Sequence, residues 1–196
     1  IDATAATAGN NVSQNTISAL SNSNATAAVW ITGLHYNGAT TGSHVVGRNL
    51  IHSLSASNAN ATLNCIYSQA GATTYQNNMI RLGIDAACVS VNYGMAINGF
   101  NEVVGTNNFY FNSVYIGGAP TDGSGNTFAF NSAVTVNTRN YLNNVFVNAR
   151  SNSGSTGKHY AIKVGGTAQN PAGLVSNNND LFSTGTGGFV GQFNVI

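Results

Sequence analysis

The side chains of this 196-residue chain that could do chemistry are few and scattered. Its carboxylates are Asp2, Asp85, Glu102, Asp122 and Asp180. Breaking a sugar chain needs two carboxyl groups ~5–9.5 Å apart, or an acidic calcium site beside a strong base. Asp85 and Asp122 fall in equivalent loops of adjacent repeats and are the only pair that could meet that need. Solvated loop acids are the commoner meaning of such residues. The histidines His35, His44, His52 and His159 stand at unrelated points of the repeat, and no two have metal-ligand spacing. There is no Gly-x-Ser-x-Gly elbow and no phosphate-binding loop. Cys65 and Cys88 precede Ile66-Tyr67 and Val89-Ser90, which reads as matching places on neighbouring rungs. At ~4.8 Å apart they could form a disulfide or stack as reduced thiols in the core, and both readings stay open. No catalytic, cofactor-binding or metal-binding residue is assigned. The expectation is a protein that is not an enzyme, with a polysaccharide-degrading enzyme as the alternative.

What would position these groups is a repeat. Asn-x-apolar recurs at Asn15-Thr16-Ile17, Asn49-Leu50-Ile51, Asn78-Met79-Ile80, Asn112-Ser113-Val114, Asn143-Asn144-Val145 and Asn179-Asp180-Leu181. The steps are 34, 29, 34, 31 and 36 residues. Such a period belongs to solenoids and arrays. Gly38-Ala39-Thr40-Thr41 returns as Gly71-Ala72-Thr73-Thr74, in step with it. Short β-branched and aromatic runs fill the repeat: Val29-Trp30-Ile31, Cys65-Ile66-Tyr67, Val89-Ser90-Val91, Phe128-Ala129-Phe130 and Tyr160 to Val164. Three strands and three corners per turn predict a right-handed parallel β-helix of about six coils, one domain over residues 1–196, ~29 Å long. Stacked asparagine amides should bond along the axis, and Asn at a corner adopts the left-handed conformation cheaply. Ile17, Ile51, Ile80, Val114 and Val145 should form one buried ladder.

Variable loops between the first and second strand of each coil should line one edge: Ser21 to Thr26, Ser55 to Asn60, Gly118 to Gly125 and Ser151 to Gly157. The third coil should have a shorter version, Gly83 to Ala87. Thr40, Thr73, Thr135 and Thr167 could make a threonine file of the kind that binds ice. Asn101-Glu102 interrupts it, so ice binding is not expected. Tyrosines 36, 67, 75, 93, 110, 115 and 141, with Trp30, should be mostly core, and any at the surface could stack on sugar rings. The sequons Asn11-Val12-Ser13, Asn24-Ala25-Thr26 and Asn60-Ala61-Thr62 could carry glycans.

Charged residues are 6% of the chain and the formal net charge is +1. That is far below the usual ~25% and gives no electrostatic case for nucleic acid or an anionic membrane. No apolar run reaches the ~20 residues of a membrane-spanning helix, so no membrane insertion is expected. The chain opens with Ile1 rather than Met, as a processed product or a piece of something longer would.

The phrases Asn77-Asn78-Met79-Ile80, Asn107 to Gly118 and Gly157-Lys158-His159-Tyr160-Ala161-Ile162 resemble the parallel β-helix repeats of secreted and outer-surface proteins of Bacteroidetes-type bacteria. The resemblance covers almost the entire chain. It implies an extracellular or cell-surface location. The long faces of a solenoid favour a structural, adhesin-like scaffold, with a carbohydrate-active β-helix or a glycan-binding module as the alternatives. The end coils, Ile1 to Thr4 and Phe189 to Ile196, read as uncapped strands with Asp2 their only charge. Open strand edges invite pairing, so either neighbouring domains or identical subunits stacked into a fibre should cover them.

Overall fold

A computed structural model describes residues 1–4, 9–168 and 170–193. The described chain is all β, a parallel solenoid of about six coils whose three long sheets run the length of the axis. The first sheet holds Asp2–Thr4, Trp30–Asn37, Thr62–Ala70, Ala96–Glu102, Thr127–Ser132, His159–Val164 and Gly188–Phe193, in that spatial order. The second stacks Asn11–Ser13, His44–Gly47, Thr73–Gln76, Asn108–Tyr110, Arg139–Leu142 and Leu174–Asn177. The third stacks Thr16–Ser18, Leu50–His52, Met79–Leu82, Ser113–Ile116, Val145–Asn148 and Asp180–Ser183. A two-stranded pair, Ser21–Asn22 with Ser55–Ala56, decorates one edge. Among the described residues no helix is long and apolar enough to cross a membrane. The C-terminal strand expectation for Asn194 to Ile196 lies outside the described residues.

Alternation within each short strand sends one row of side chains inward, where like stacks on like. Val46, Tyr75, Phe109 and Tyr141 are register partners in the second sheet. Ile66, Phe100 and Phe130 are partners in the first. The two rows meet as an aromatic core, with Tyr75 stacked on Phe109 at 4.7 Å and Phe130 against Tyr141 at 4.6 Å. Midway along the first sheet the strands bend, and two successive residues point inward, as with buried Cys65 and Ile66. The first of each such pair is small: Gly33, Cys65, Gly99, Ala129, Ala161. At Gly99 even a methyl group would sit 2.4 Å from the Ala129 carbonyl oxygen and 2.5 Å from a Val114 methyl.

The asparagine corner joins the second and third sheets, and here the expected register slips by one residue. The fifth member of the ladder is Asn144, not Asn143, so the observed steps are 34, 29, 34, 32 and 35 residues. The inward apolar ladder therefore runs Ile17, Ile51, Ile80, Val114, Phe146, Leu181, buried in its middle and partly exposed at Ile17 and Leu181. Val145 faces outward and is partly exposed. A one-residue shift in a strand reverses every side chain. The left-handed conformation belongs to the residue before each ladder asparagine: Gln14, Arg48, Asn77, Phe111, Asn143 and Asn178 all have φ between 53° and 61°. Asparagine supplies only half of these, so the corner is imposed by the amide bonds that follow it.

The third coil departs from expectation too. Its connection is not shortened but runs over 83–95, and Val89-Ser90-Val91 lies within it. Ile84 and Ser90 form an isolated antiparallel bridge there, making a small projecting hairpin. Local β-propensity at Val89–Val91 loses to Ala96–Glu102, whose alternation continues the buried rows of Thr62–Ala70. Cys88 consequently does not match Cys65. Cys65 is buried, Cys88 is exposed in the hairpin, and both are free thiols. The threonine file is also absent: Thr73 is buried opposite His44, while Thr40, Thr135 and Thr167 are exposed in connections.

Candidate functional site

The two candidate carboxylates hold loops together. Asp85 Oδ1 accepts the backbone N–H groups of Ala87 and Val89, both at 2.9 Å, and so shapes the hairpin. Asp122 Oδ1 accepts the Gly94 N–H at 2.9 Å, tying one coil's loop to the next. His35 lies between Asp2 at 2.9 Å and Gln69 at 2.7 Å. His44 contacts Asn10 and the Thr41 carbonyl, and His52 contacts Ser53. Among the described residues no three His, Cys, Asp or Glu side chains gather as a metal site. Cys88 Sγ lies 3.3 Å from an Arg81 guanidinium nitrogen. The three sequon asparagines, Asn11, Asn24 and Asn60, are all exposed.

Sequence reasoning missed four ionisable groups buried inside the coil. Glu102 is fully buried, accepting from Asn107 at 3.0 Å, Ser132 at 2.7 Å and Tyr141 at 2.5 Å. Burial raises its pKa above the usual 4.5, while those donors and the Arg139 charge act to lower it. Arg139 is fully buried and donates to the carbonyls of Val134, Asn137 and Ala172. Arg150, also fully buried, reaches across the coils to the carbonyls of Gly117 at 3.0 Å, Val91 at 3.0 Å, Tyr93 at 2.9 Å and Gly83 at 3.4 Å. Burial lowers its pKa to about 10, so it stays cationic at neutral pH. Its four partners are carbonyl dipoles, in place of a carboxylate. His159 is pushed down to about 4 by burial first and by Arg150 second. Asn148 donates to Thr127 Oγ1, which leaves the Thr127 hydroxyl to donate to His159 Nδ1 at 2.9 Å. The other ring nitrogen then donates to Asn152 Oδ1. A neutral imidazole satisfies every bond in that chain.

The surfaces left for other molecules are the outer faces of the sheets. On the third sheet Leu50, Met79, Tyr115, Val145 and Val147 line a shallow apolar groove of about 480 Å³. The first sheet is different, because its mid-strand bend makes the outer face concave. Side chains on either side of the bend touch: Asn64 Oδ1 accepts from both Asn98 and Asn101, and Asn131 bonds on to Asn98 and Asn101. This amide floor separates two aromatic stations. At one end Trp30, 69% exposed, meets Tyr67 edge to face at 6.2 Å, beside a cleft of about 510 Å³ that Asp2, Thr32, His35 and Gln69 complete. At the other, Phe128, Tyr160 and Phe189 stack at 5.2 and 5.4 Å, with Lys163 over the Phe128 ring. Fewer of the expected aromatics are core than their spacing suggests: Tyr36, Tyr75 and Tyr141 are buried, whereas Trp30, Tyr67, Tyr93, Tyr110 and Tyr115 reach the surface.

No family model, curated protein or solved structure matches the chain.

Proposed function

We propose that this chain is a non-enzymatic structural solenoid of the cell exterior, adhesin-like in presenting long faces, whose copies stack end to end. One observation carries the stacking: the asparagine ladder has a direction. Each ladder Oδ1 accepts both the backbone N–H and the side-chain amide of the asparagine one coil earlier, as Asn78 does from Asn49 at 3.1 and 3.0 Å. From Asn49 onward each side-chain amide also donates back to a carbonyl of the preceding coil, as Asn78 does to Val46. At the first described coil the Asn15 Oδ1 accepts from no ladder asparagine among the described residues. At the last, Asn179 makes the backward bond to Tyr141, but its backbone N–H has no partner among the described residues. One end offers an acceptor, the other a donor, and unpaired strand edges surround both. Apolar surface accompanies them, since Phe182, Phe189, Val190 and Phe193 of the last coil are half exposed.

A contact of one end with the opposite end is heterologous and does not close, so it propagates as a filament. The Asn-, Ser- and Thr-rich surface with little charge supports the exterior location. Electron microscopy of the purified chain tests the stacking: filaments should repeat every six coils, ~29 Å along the axis. Monomers that persist at high concentration would remove it. An assay for turnover of acidic polysaccharides tests the non-enzymatic part. Turnover that disappears in Asp85→Ala or Asp122→Ala would replace the scaffold with a carbohydrate-active enzyme.

A further inference from the structure

We infer that the concave outer face of the first sheet is a binding site for a neutral, linear glycan, with the Trp30–Tyr67 pair as its main stacking platform. This deepens the scaffold reading by naming what one face holds, and it rests on that reading. The trough runs from the Trp30 strand to the Phe189 strand, five rungs or ~24 Å. About one sugar ring fits per rung. Its two aromatic stations would meet the CH faces of sugar rings, and between them the half-buried amides of Asn101 and Asn131, held from beneath by buried Asn64 and Asn98, offer donors and acceptors to hydroxyls.

The chemistry of the lining excludes the other extended ligands. A nucleic acid strand needs a basic track, yet Lys163 is the one lysine or arginine in the trough, and it is engaged over Phe128. A peptide strand adds to a free sheet edge, whereas here the backbone is already paired on both sides. An amphipathic helix needs a continuous apolar groove; the middle of this one is Asn64, Asn98, Asn101 and Asn131. A sugar needs both characters side by side, a few rings and a few oriented polar groups. The Trp30 cleft supplies them: His35 is fixed between Asp2 and Gln69, so the polar groups are held in place before any ligand arrives. The one carboxylate of the cleft, Asp2, is already bonded to His35 and would repel an acidic sugar, so the cleft does not favour an anionic chain. The Trp30 indole is the most exposed large apolar side chain of the described residues, and its packing partner Tyr67 holds its edge.

The test is affinity electrophoresis of the full chain in gels containing a soluble β-glucan, a mannan, a galactan or polygalacturonate. At least one neutral polysaccharide should retard the chain. Trp30→Ala should weaken that retardation roughly tenfold, Tyr67→Ala by several-fold, and Val136→Ala, an exposed residue outside the trough, not at all. Trp30 is exposed enough that its loss leaves the fold intact, which circular dichroism of each variant verifies. Absence of retardation by every neutral polysaccharide, retardation by polygalacturonate alone, or binding unchanged in both Trp30→Ala and Tyr67→Ala would overturn the inference. Filament formation is scored on the same samples, so a failed glycan site and a failed scaffold give separable results.

Discussion

Two corners of the coil solve the same problem by different means. Where the second sheet turns into the third, every coil spends one asparagine, and each makes the same bonds to its neighbours. Where the third sheet turns into the first, the connections vary in length and path, and one guanidinium, Arg150, binds carbonyls of two other coils. The first corner is periodic, uncharged and redundant. The second is aperiodic, charged and concentrated in a single side chain. A repeated short-range bond tolerates loss of one member, whereas a single long-range one does not.

Removing Arg150 should have the largest effect. Arg150→Met fills similar volume but leaves the Gly117, Val91 and Tyr93 carbonyls without a donor, while Gly83 O keeps the Val91 N–H; the loss should be on the order of 4 kcal/mol by chemical denaturation. The 83–95 hairpin, whose Val91 and Tyr93 carbonyls it holds, should become the first site of proteolysis. Equal protease resistance in the variant would show that the hairpin is held by something else.

Within the ladder the effect should be smaller and graded by position. Asn78 is fully buried with bonds on both sides, so Asn78→Ala should cost about 2 kcal/mol. Asn15 is half exposed and has a ladder neighbour on one side only, so Asn15→Ala should cost less than about 0.5 kcal/mol. Similar losses at both would mean that position in the ladder does not matter.

A third difference is a matter of pH. No ladder asparagine titrates, but His159 beside Arg150 does. Its folded-state pKa is about 4 against an ordinary 6.5, so the unfolded chain takes up a proton that the folded chain refuses. The stability this contributes is complete above pH 6.5 and is lost as pH falls from there through 4. Glu102, whose pKa is raised, acts in the opposite sense: its contribution falls as pH climbs above the ordinary 4.5. The acid limb should flatten in His159→Asn and steepen in Glu102→Gln. Hydrogen exchange at falling pH should open the segment around His159 before the ladder corner; simultaneous opening would erase the distinction between the corners.

The same contrast explains what could be read in advance. The coil, its three sheets and most of the ladder follow from period and alternation, because each bond recurs with the same residue type. The slip at Asn143-Asn144 arose because both residues offer the right side chain. Only the backbone decides between them, by placing the left-handed residue first. Arg150 gave no signal, since Ala149-Arg150-Ser151 reads as an exposed loop and its carbonyl partners lie up to 67 residues away. Glu102 looked like a break in a surface row for the same reason: its partners Ser132 and Tyr141 come from the next coil. The Trp30–Tyr67 pair was half visible as two aromatics among many. Their meeting depends on the mid-strand bend, which small residues at the inward positions permit and no periodic pattern announces.

The central claim is that directional asparagine–asparagine bonds join the coils, and a double-mutant cycle between Asn78 and Asn112 tests it most directly. Nδ2 of Asn78 donates to Oδ1 of Asn112 at 2.9 Å, and the Asn78 backbone N–H donates to the same oxygen at 3.1 Å. Asn78→Ala, Asn112→Ala and the double variant, compared by urea denaturation, should show a coupling energy of about 1 kcal/mol or more. Additivity within about 0.3–0.5 kcal/mol would contradict it.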